Sequence, residues 1–219
     1  MSGAEYGSFF PGTNGGERSE GAEQPRLLND ILDRLSIRNR LPPLTPEKAW
    51  HPRIDEEIAA LSRAYWADGL PDGLSSLQAY QAALHLWNDS LEAAHELVQE
   101  LDTPTGMLLH GIIHRREGDY DNAKYWFHRT GNHPAYHGLQ ARAAAFLRQH
   151  EGVRGPLEQA LDNIVTQGSW NPYLFVNAVE IQENQVGEDN ARYPLEYLQQ
   201  LELEAVLRFL EGRIAVNPE

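Results

Sequence analysis

The chain of 219 residues contains no cysteine. Disulfides, thiolate metal sites and cysteine nucleophiles are therefore excluded, and the absence fits a cytoplasmic location, where disulfides are rare. The sequence also has no run of about 20 apolar residues, which a membrane span requires. Its N-terminus has no basic start followed by an apolar segment, so we expect no signal peptide.

Basic residues are scarce, because 18 Lys and Arg stand against 32 Asp and Glu, giving a formal net charge of -14. No segment concentrates the basic residues. A phosphate backbone or an anionic membrane surface would be repelled, so we expect neither nucleic acid nor membrane partners. The acidity is typical of a soluble surface, and the alternative interpretation is a cationic ligand or partner.

Sustained period-two alternation, the mark of a β-strand, is also missing, whereas helical periodicity recurs along the chain. The sequence thus predicts an all-α protein. Residues 1–24 hold six glycines and few large apolar residues, which predicts a flexible arm. Residues 25–215 are predicted to form a single all-helical domain.

The predicted helices are separated by proline, glycine and capping residues. The first follows Pro25, the second begins near Pro52 and the third follows Ser75 or Ser76. The next three are LEAAHELVQEL, GMLLHGIIHRRE and YDNAKYWFHRTG, of which the first is expected to be capped by Asn88, Asp89 and Ser90. Four more are predicted around LQARAAAFLRQ, after Pro156, after Pro172, and from Pro194 to about Gly212.

Two of these segments resemble each other. LEAAHELVQELDTP aligns with YDNAKYWFHRTGNHP at an offset of about 29 residues, which matches Ala94 with Ala123 and Val98 with Phe127. Each segment follows another helix, so the repeating unit is a helical hairpin. The hairpins are predicted over residues 75–134.

The second unit resembles a tetratricopeptide repeat (TPR), in which Leu-Gly-x2-Tyr, Ala-x3-Phe and Pro recur. Gly111 takes the small position of the first helix, Gly118-Asp119-Tyr120 matches the turn, Ala123-x3-Phe127 matches the second helix, and Pro134 stands near the end. The resemblance implies packed antiparallel hairpins, either TPR-like or a compact helical bundle, and an interaction module or scaffold for an unknown protein partner.

A second resemblance rests on LHGIIHRREGDYDNAKYWFHRTGNHP together with the later SWNPYLFVNAVE. These runs are similar to an uncharacterised family of bacterial and fungal proteins. That similarity implies no residue roles.

Histidines are concentrated in one region, with six of the nine between residues 95 and 137. His110, His114 and Glu117, at i, i+4 and i+7, share one helical stripe and could hold a divalent transition metal. His95 and Gln99 form a second i, i+4 pair, which a hairpin stack would place alongside. The alternative is that each imidazole is hydrogen-bonded by its own neighbours, without a ligand. His-Glu-x-x-His and paired Glu-x-x-His motifs are absent.

Several charged and aromatic residues lie beside this stripe in the sequence. Arg115 or Arg116 could clamp a carboxylate or phosphate, Trp126 could form an apolar wall, and Lys124 lies in the same region. The alternative is a solvated basic edge with an inter-helix ion pair, such as one from Arg116 to Glu117 or Asp119.

Nucleophilic chemistry has little support, because neither Gly-x-Ser-x-Gly nor a phosphate-binding glycine loop occurs. Three interpretations stay open. The first is a helical-hairpin interaction module. The second is a protein that binds a metal or a small molecule in a His- and Glu-lined pocket between helices, either as a binding protein or as an enzyme. The third is a structural subunit of a homo-oligomer.

Overall fold

A computed structural model describes residues 17–62, 73–150, 153–187 and 189–214. The predicted all-α fold is confirmed, since these residues form helices and no strand. Most of the predicted arm, residues 1–16, lies outside the described residues. Within the described ranges, the ten α-helices are α1 (Glu17–Ser36), α2 (Pro52–Ala59), α3 (Gly73–Trp87), α4 (Leu91–Val98), α5 (Pro104–Glu117), α6 (Tyr120–Thr130), α7 (Leu139–Leu147), α8 (Pro156–Val165), α9 (Pro172–Ile181) and α10 (Asp189–Ile214).

Two helices begin earlier than predicted. Pro25 lies inside α1 and Pro194 lies inside α10, rather than at their first turns. A proline removes one backbone donor, but its φ angle is helical, so helix-forming neighbours can extend the helix on its N-terminal side. A short π-helical turn, Gln182–Val186, follows α9 and ends at Gly187, whose φ is 66°.

Helices α3 and α4 form one hairpin, and α5 and α6 form a second. The turn of the second hairpin is built by Gly118, which ends α5 with a φ of 82°, and by Asp119, whose side chain accepts from the backbone N–H of Asn122. The close approach of α5 and α6 depends on Gly111, because a Cβ there would lie 2.7 Å from the Phe127 ring. The structure therefore contains the two hairpins, while their relation to the TPR family stays a prediction.

Helix α5 is central to the core. Most of its apolar side chains are fully buried, and the two arginines of its last turn are buried as well. The long helix α10 packs along α3, and its Glu202 reaches Arg115 of α5. The first helix of the first hairpin is therefore covered by the chain's own C-terminal helix, which reaches the first helix of the second hairpin through this ion pair, and α4 retains an exposed face.

Long apolar helices are missing from the described part of the chain. None of its helices has both the length and the apolar character needed to cross a membrane. The α1 and α10 helices are long enough, but charged residues are distributed along both of them.

Candidate binding site

A cleft of about 760 Å³ lies along the exposed face of α4. Six of its lining side chains are carboxylates, against one lysine. Such a surface has a negative potential and attracts cations. The lining residues are Pro46, Glu47, Lys48, Ala49, Asp55, Asp89, Ser90, Leu91, Glu92, Ala93, His95, Glu96, Gln99 and Glu117.

The wall opposite α4 is the irregular segment 46–49, which is held in place at its C-terminal side. The Trp50 N–H donates to the Asn88 carbonyl at 2.7 Å. The Asn88 side chain accepts from the His51 N–H and donates to the His51 carbonyl, both at 3.1 Å. The Arg38 guanidinium lies 5.5 Å from the centre of the Trp50 ring. These contacts anchor the segment to the turn between α3 and α4.

The floor of the cleft contains a satisfied hydrogen-bond network around Asp55. Ser90 Oγ donates to both carboxylate oxygens at 2.6 and 2.7 Å, while Asn88 Nδ2 and His85 Nδ1 each lie 2.9 Å from Oδ1. Burial opposes ionisation of Asp55, but hydrogen bonds from His85, Ser90 and Asn88 outweigh it and lower its pKa. Asp55 is therefore an ionised structural group.

The predicted capping of α4 is wrong in its detail. Ser90 occupies the N-cap position, but its side chain makes no cap hydrogen bond. Its hydroxyl instead binds Asp55 of α2, and Asn88 binds the 50–51 segment. Capping residues are also good partners for tertiary contacts, and here the Ser90 hydroxyl donates a charge-assisted hydrogen bond to an ionised carboxylate.

Asp89 lines the cleft and is paired with two arginines behind it. Among the described non-glycine residues, Asp89 alone has a positive φ, which is 63°. Its two oxygens pair with Arg116 Nη2 at 2.6 Å and Arg38 Nη2 at 2.5 Å. Arg116 also donates to the carbonyls of Leu86 and Pro43. Burial lowers the pKa of Arg116 to about 10 against the opposing effect of Asp89, so it stays charged at neutral pH.

Arg115 lies in the core, away from the cleft. Its Nη1 is 2.6 Å from Glu202 Oε2, and both side chains are fully buried. The guanidinium lies 4.4 Å from the centre of the Phe175 ring. The other oxygen, Glu202 Oε1, accepts from Tyr136 Oη and Trp170 Nε1 at 3.2 and 3.1 Å. This buried pair joins α5 to α10.

The predicted arginine clamp is therefore wrong, and so is the alternative of a solvated basic edge. Arg115 and Arg116 are buried and already paired with carboxylates of the chain. Lys124 of α6 pairs with Glu180 of α9 at 2.9 Å and does not line the cleft. Both arginines face inward because each pairs there with a buried carboxylate, Glu202 or Asp89.

Three imidazoles meet at the inner end of the cleft. The His95 ring is edge-on to the His110 ring at 5.3 Å and to the His114 ring at 5.0 Å, and the latter two rings stack at 6.0 Å. Trp126 stacks on His110 at 4.1 Å with an interplanar angle of 9°. Glu117 lies 2.9 Å from His114 Nδ1 and 3.7 Å from His95 Nδ1. The structure thus brings together five of the sequence-predicted site residues.

The tautomer of His114 follows from its partners. Asn122 Nδ2 lies 3.3 Å from His114 Nε2 and also faces Asp119 Oδ2, so the amide donates and Nε2 accepts. Nδ1 then carries the proton that points to Glu117. This hydrogen bond from His114 lowers the pKa of Glu117, against the opposing effect of burial. Glu117 is therefore ionised and faces the cleft.

His110 behaves as a packing residue. It is 4% exposed, and burial, together with neighbouring His95 and His114, lowers its pKa to about 4. It is consequently neutral at pH 7. The stack on Trp126 explains why an imidazole occupies a position that hairpin repeats usually fill with an apolar residue.

The cluster does not meet the needs of a metal ion. Within the described ranges, no group of three or more His, Cys, Asp or Glu side chains is placed to hold one. His110 faces Trp126, and Glu117 is hydrogen-bonded to His114. The predicted ligand set His110, His114 and Glu117 therefore does not fit a metal in this arrangement.

Sequence reasoning found one wall of the site but missed the other. Of the predicted residues, His95, Gln99 and Glu117 line the cleft, and His110, His114 and Trp126 stand behind them. The missed lining residues belong to the irregular segment and to the acidic edge of α4. The sequence feature that indicates the acidic edge is Glu92 and Glu96, an i, i+4 pair of acidic residues beside His95.

Comparisons with protein-family models, with curated proteins and with solved structures find no match to this chain. The site is therefore interpreted from its own geometry.

Proposed function

We propose that this chain is an interaction module that binds a cationic group of a ligand or partner in its acidic cleft. The observation that carries the proposal is the set of exposed carboxylates Glu47, Glu92 and Glu96, which line the cleft without an ion pair to another described residue. The other three carboxylates of the cleft, Asp55, Asp89 and Glu117, already have partners within the chain.

The position of α10 supports this choice of surface. A module built from helical hairpins commonly binds partners on the face formed by the first helices of its repeats. Here α10 packs along α3, so the α3 part of that face is occupied from within, and Glu202 of α10 also pairs with Arg115 of α5. The exposed side of α4, with segment 46–49 opposite, remains open to a partner.

The expected strength follows from the exposure of the carboxylates. An exposed ion pair contributes about 0.2–1 kcal/mol, so three contribute roughly 1–3 kcal/mol and depend on salt. Charge alone would give weak binding, and additional contacts along the cleft would be needed for tight binding. The net charge of -14 would mainly raise the association rate of cations.

Titration calorimetry with tetralysine at low ionic strength tests the proposal. We expect saturable binding by the full chain and none of tetra-aspartate. The double variant Glu92→Gln/Glu96→Gln should bind about two- to thirtyfold more weakly, since it loses two exposed ion pairs. Glu100→Gln is the matched control for loss of one charge, since Glu100 is exposed just beyond α4 and does not line the cleft.

Two results would contradict this function. One is the absence of tetralysine binding, and the other is a Glu100→Gln variant that loses as much affinity as the double variant. The second result would mean that net charge, rather than the cleft, attracts the peptide.

The alternative of a transition metal is tested by elemental analysis of the purified protein. About one equivalent of zinc, iron or manganese would favour that alternative, and the imidazoles of His95, His110 and His114 would then have to rearrange around the ion. Homo-oligomer formation and a cytoplasmic location stay predictions, which native mass measurement and cell fractionation can test.

A further inference from the structure

A second cavity, of about 410 Å³, lies at the other end of α5 from the acidic cleft. Thr105, which lines this cavity, and Glu117, which lines the cleft, are about 18 Å apart along the axis of α5. Among the described residues no carboxylate lines the second cavity, although the chain has 32 acidic residues. Its lining residues are Ser75, Ser76, Ala79, Thr103, Pro104, Thr105, Thr130, Asn132, His133, Pro134, Leu210 and Arg213.

The hydrogen bonds behind the cavity fix the tautomer of its histidine. The Ala135 N–H donates to His133 Nδ1 at 3.2 Å, so this nitrogen carries no proton. His133 is 6% exposed, and burial, with a smaller effect of Arg213, lowers its pKa to about 4. The ring is therefore neutral at pH 7 with its proton on Nε2, which donates to Thr105 Oγ1 at 3.2 Å.

Two threonine hydroxyls of the cavity are thereby left with a hydrogen to donate. Thr105 Oγ1 accepts from His133, and Thr103 Oγ1 accepts from the Gly106 N–H at 3.0 Å. A hydroxyl that already accepts within the chain can offer its own hydrogen to a ligand. Because Thr105 is only 9% exposed, an acceptor that reaches it gains more than it would at the surface. The cavity thus favours a ligand with acceptor oxygens.

Arg213 of α10 adds a positive charge to the same cavity. Its guanidinium lies 5.4 Å from the centre of the Phe209 ring, and that ring is edge-on to the His133 ring at 4.9 Å. Arg213 is exposed and forms no ion pair with another described residue. A guanidinium without a counter-charge, beside two hydroxyl donors, favours the oxygens of a carboxylate or phosphate group.

We propose that this cavity binds a small organic oxyanion, whose carboxylate or phosphate group accepts from Thr103 and Thr105 and pairs with Arg213. The volume is within the range of small-molecule sites and leaves room for more than the bare anion. Ser75 and Ser76 of α3 line the same space and can contact polar groups of the ligand. The site does not depend on the function proposed for the acidic cleft.

NMR titration of the full chain at pH 7 with inorganic phosphate and, separately, with acetate tests the proposal, with sodium chloride keeping the ionic strength constant. We expect saturable shifts of the Thr103 and Thr105 amide signals and of the His133 ring signals with at least one of the two anions. The dissociation constant should be millimolar, because these probes have few atoms. Binding of one anion alone would identify the ligand's anionic group as phosphate or carboxylate, and binding of both would identify a general oxyanion site.

Three variants assign the binding to this cavity. Arg213→Gln should weaken binding about two- to fivefold, because the lost ion pair is exposed. Thr105→Val removes the donor hydrogen and should weaken binding about tenfold or more, whereas Thr105→Ser keeps it and should bind as wild type does. Arg53→Gln is the control for loss of one positive charge, because Arg53 is exposed on α2 and does not line the cavity.

The absence of saturable shifts with both anions overturns the proposal. Wild-type affinity in both Arg213→Gln and Thr105→Val also overturns it, since the anion would then bind elsewhere, as does an equal loss of affinity in Arg53→Gln and Arg213→Gln. None of these results bears on tetralysine binding in the acidic cleft, so the two proposals fail independently.

Discussion

The buried pair of Arg115 and Glu202 makes a sharp prediction about stability. Replacing Glu202 by Gln preserves the shape and an oxygen that can accept from Trp170 and Tyr136, but it leaves the Arg115 guanidinium without its counter-charge. Removing one partner of a buried ion pair typically costs about 3–5 kcal/mol. Since a folded domain is stable by only about 5–15 kcal/mol, Glu202→Gln should lose a large part of that stability.

Urea unfolding followed by circular dichroism measures this loss. With a slope near 2 kcal/mol/M, a change of about 3 kcal/mol lowers the unfolding midpoint by roughly 1.5 M. Glu158→Gln is the control, because its pair with Arg154 is solvent-exposed and should change stability by less than about 0.5 kcal/mol.

A double variant distinguishes an unpaired charge from lost packing. Arg115→Met/Glu202→Gln removes both charges, keeps apolar bulk beside Phe175 and keeps an oxygen that accepts from Tyr136 and Trp170, so it should recover much of the stability lost by the single variant. The reasoning would be refuted by a loss below about 1 kcal/mol in Glu202→Gln.

Three further predictions concern other parts of the fold. Gly111→Ala should lower the free energy of unfolding by about 1–3 kcal/mol, because its Cβ would meet the Phe127 ring at 2.7 Å. Gly212→Ala should raise it by up to about 1 kcal/mol, because a Cβ there meets open space. Thermal unfolding that ranks the two variants in the opposite order would contradict this. The pKa of His110 is about 4 in the folded chain and about 6.5 in the unfolded chain, so as the pH falls the unfolded state binds a proton before the folded state does. The stability that His110 contributes should therefore be complete above about pH 6.5 and fall by about 2–3 kcal/mol by pH 4.5. Burial also lowers the pKa of His133 to about 4, so urea midpoints should fall less on acidification in His110→Phe than in wild type, by the share that His110 contributes. Asn171→Ala should cost about 1 kcal/mol, because Asn171 caps α9 by accepting from two backbone N–H groups; an unchanged melting temperature would argue against it.

Local signals in the sequence were sufficient for the helices and for part of the site. Periodicity predicts the helical fold, and Gly118 with Asp119 predicts the turn between α5 and α6. Spacing also places His110 and His114 on one stripe, and the packing of the first hairpin against the second brings His95 of α4 against them. These features depend on residues close together in the chain.

The roles of Arg115 and Arg116 could not be predicted in this way. Adjacent residues on a helix point about 100° apart, and each of these side chains is turned inward by a carboxylate distant in sequence, Glu202 or Asp89. The second wall of the cleft is equally difficult, because segment 46–49 has no periodic pattern. Its position depends on hydrogen bonds to Asn88.

Gln199 of α10 donates to the backbone carbonyls of Pro42 and Pro43 at 3.1 and 2.8 Å. Synthesis on the ribosome delivers these two prolines long before the helix that binds their carbonyls, so these two hydrogen bonds form only after α10 has been made. A chain released without α10 would leave the apolar surface of α3 uncovered and would be prone to aggregate or to be degraded. Contacts from Asn88, Arg38 and Arg116 would still hold the early segment, so α10 adds the last contacts to the stretch that leads into the outer wall of the cleft.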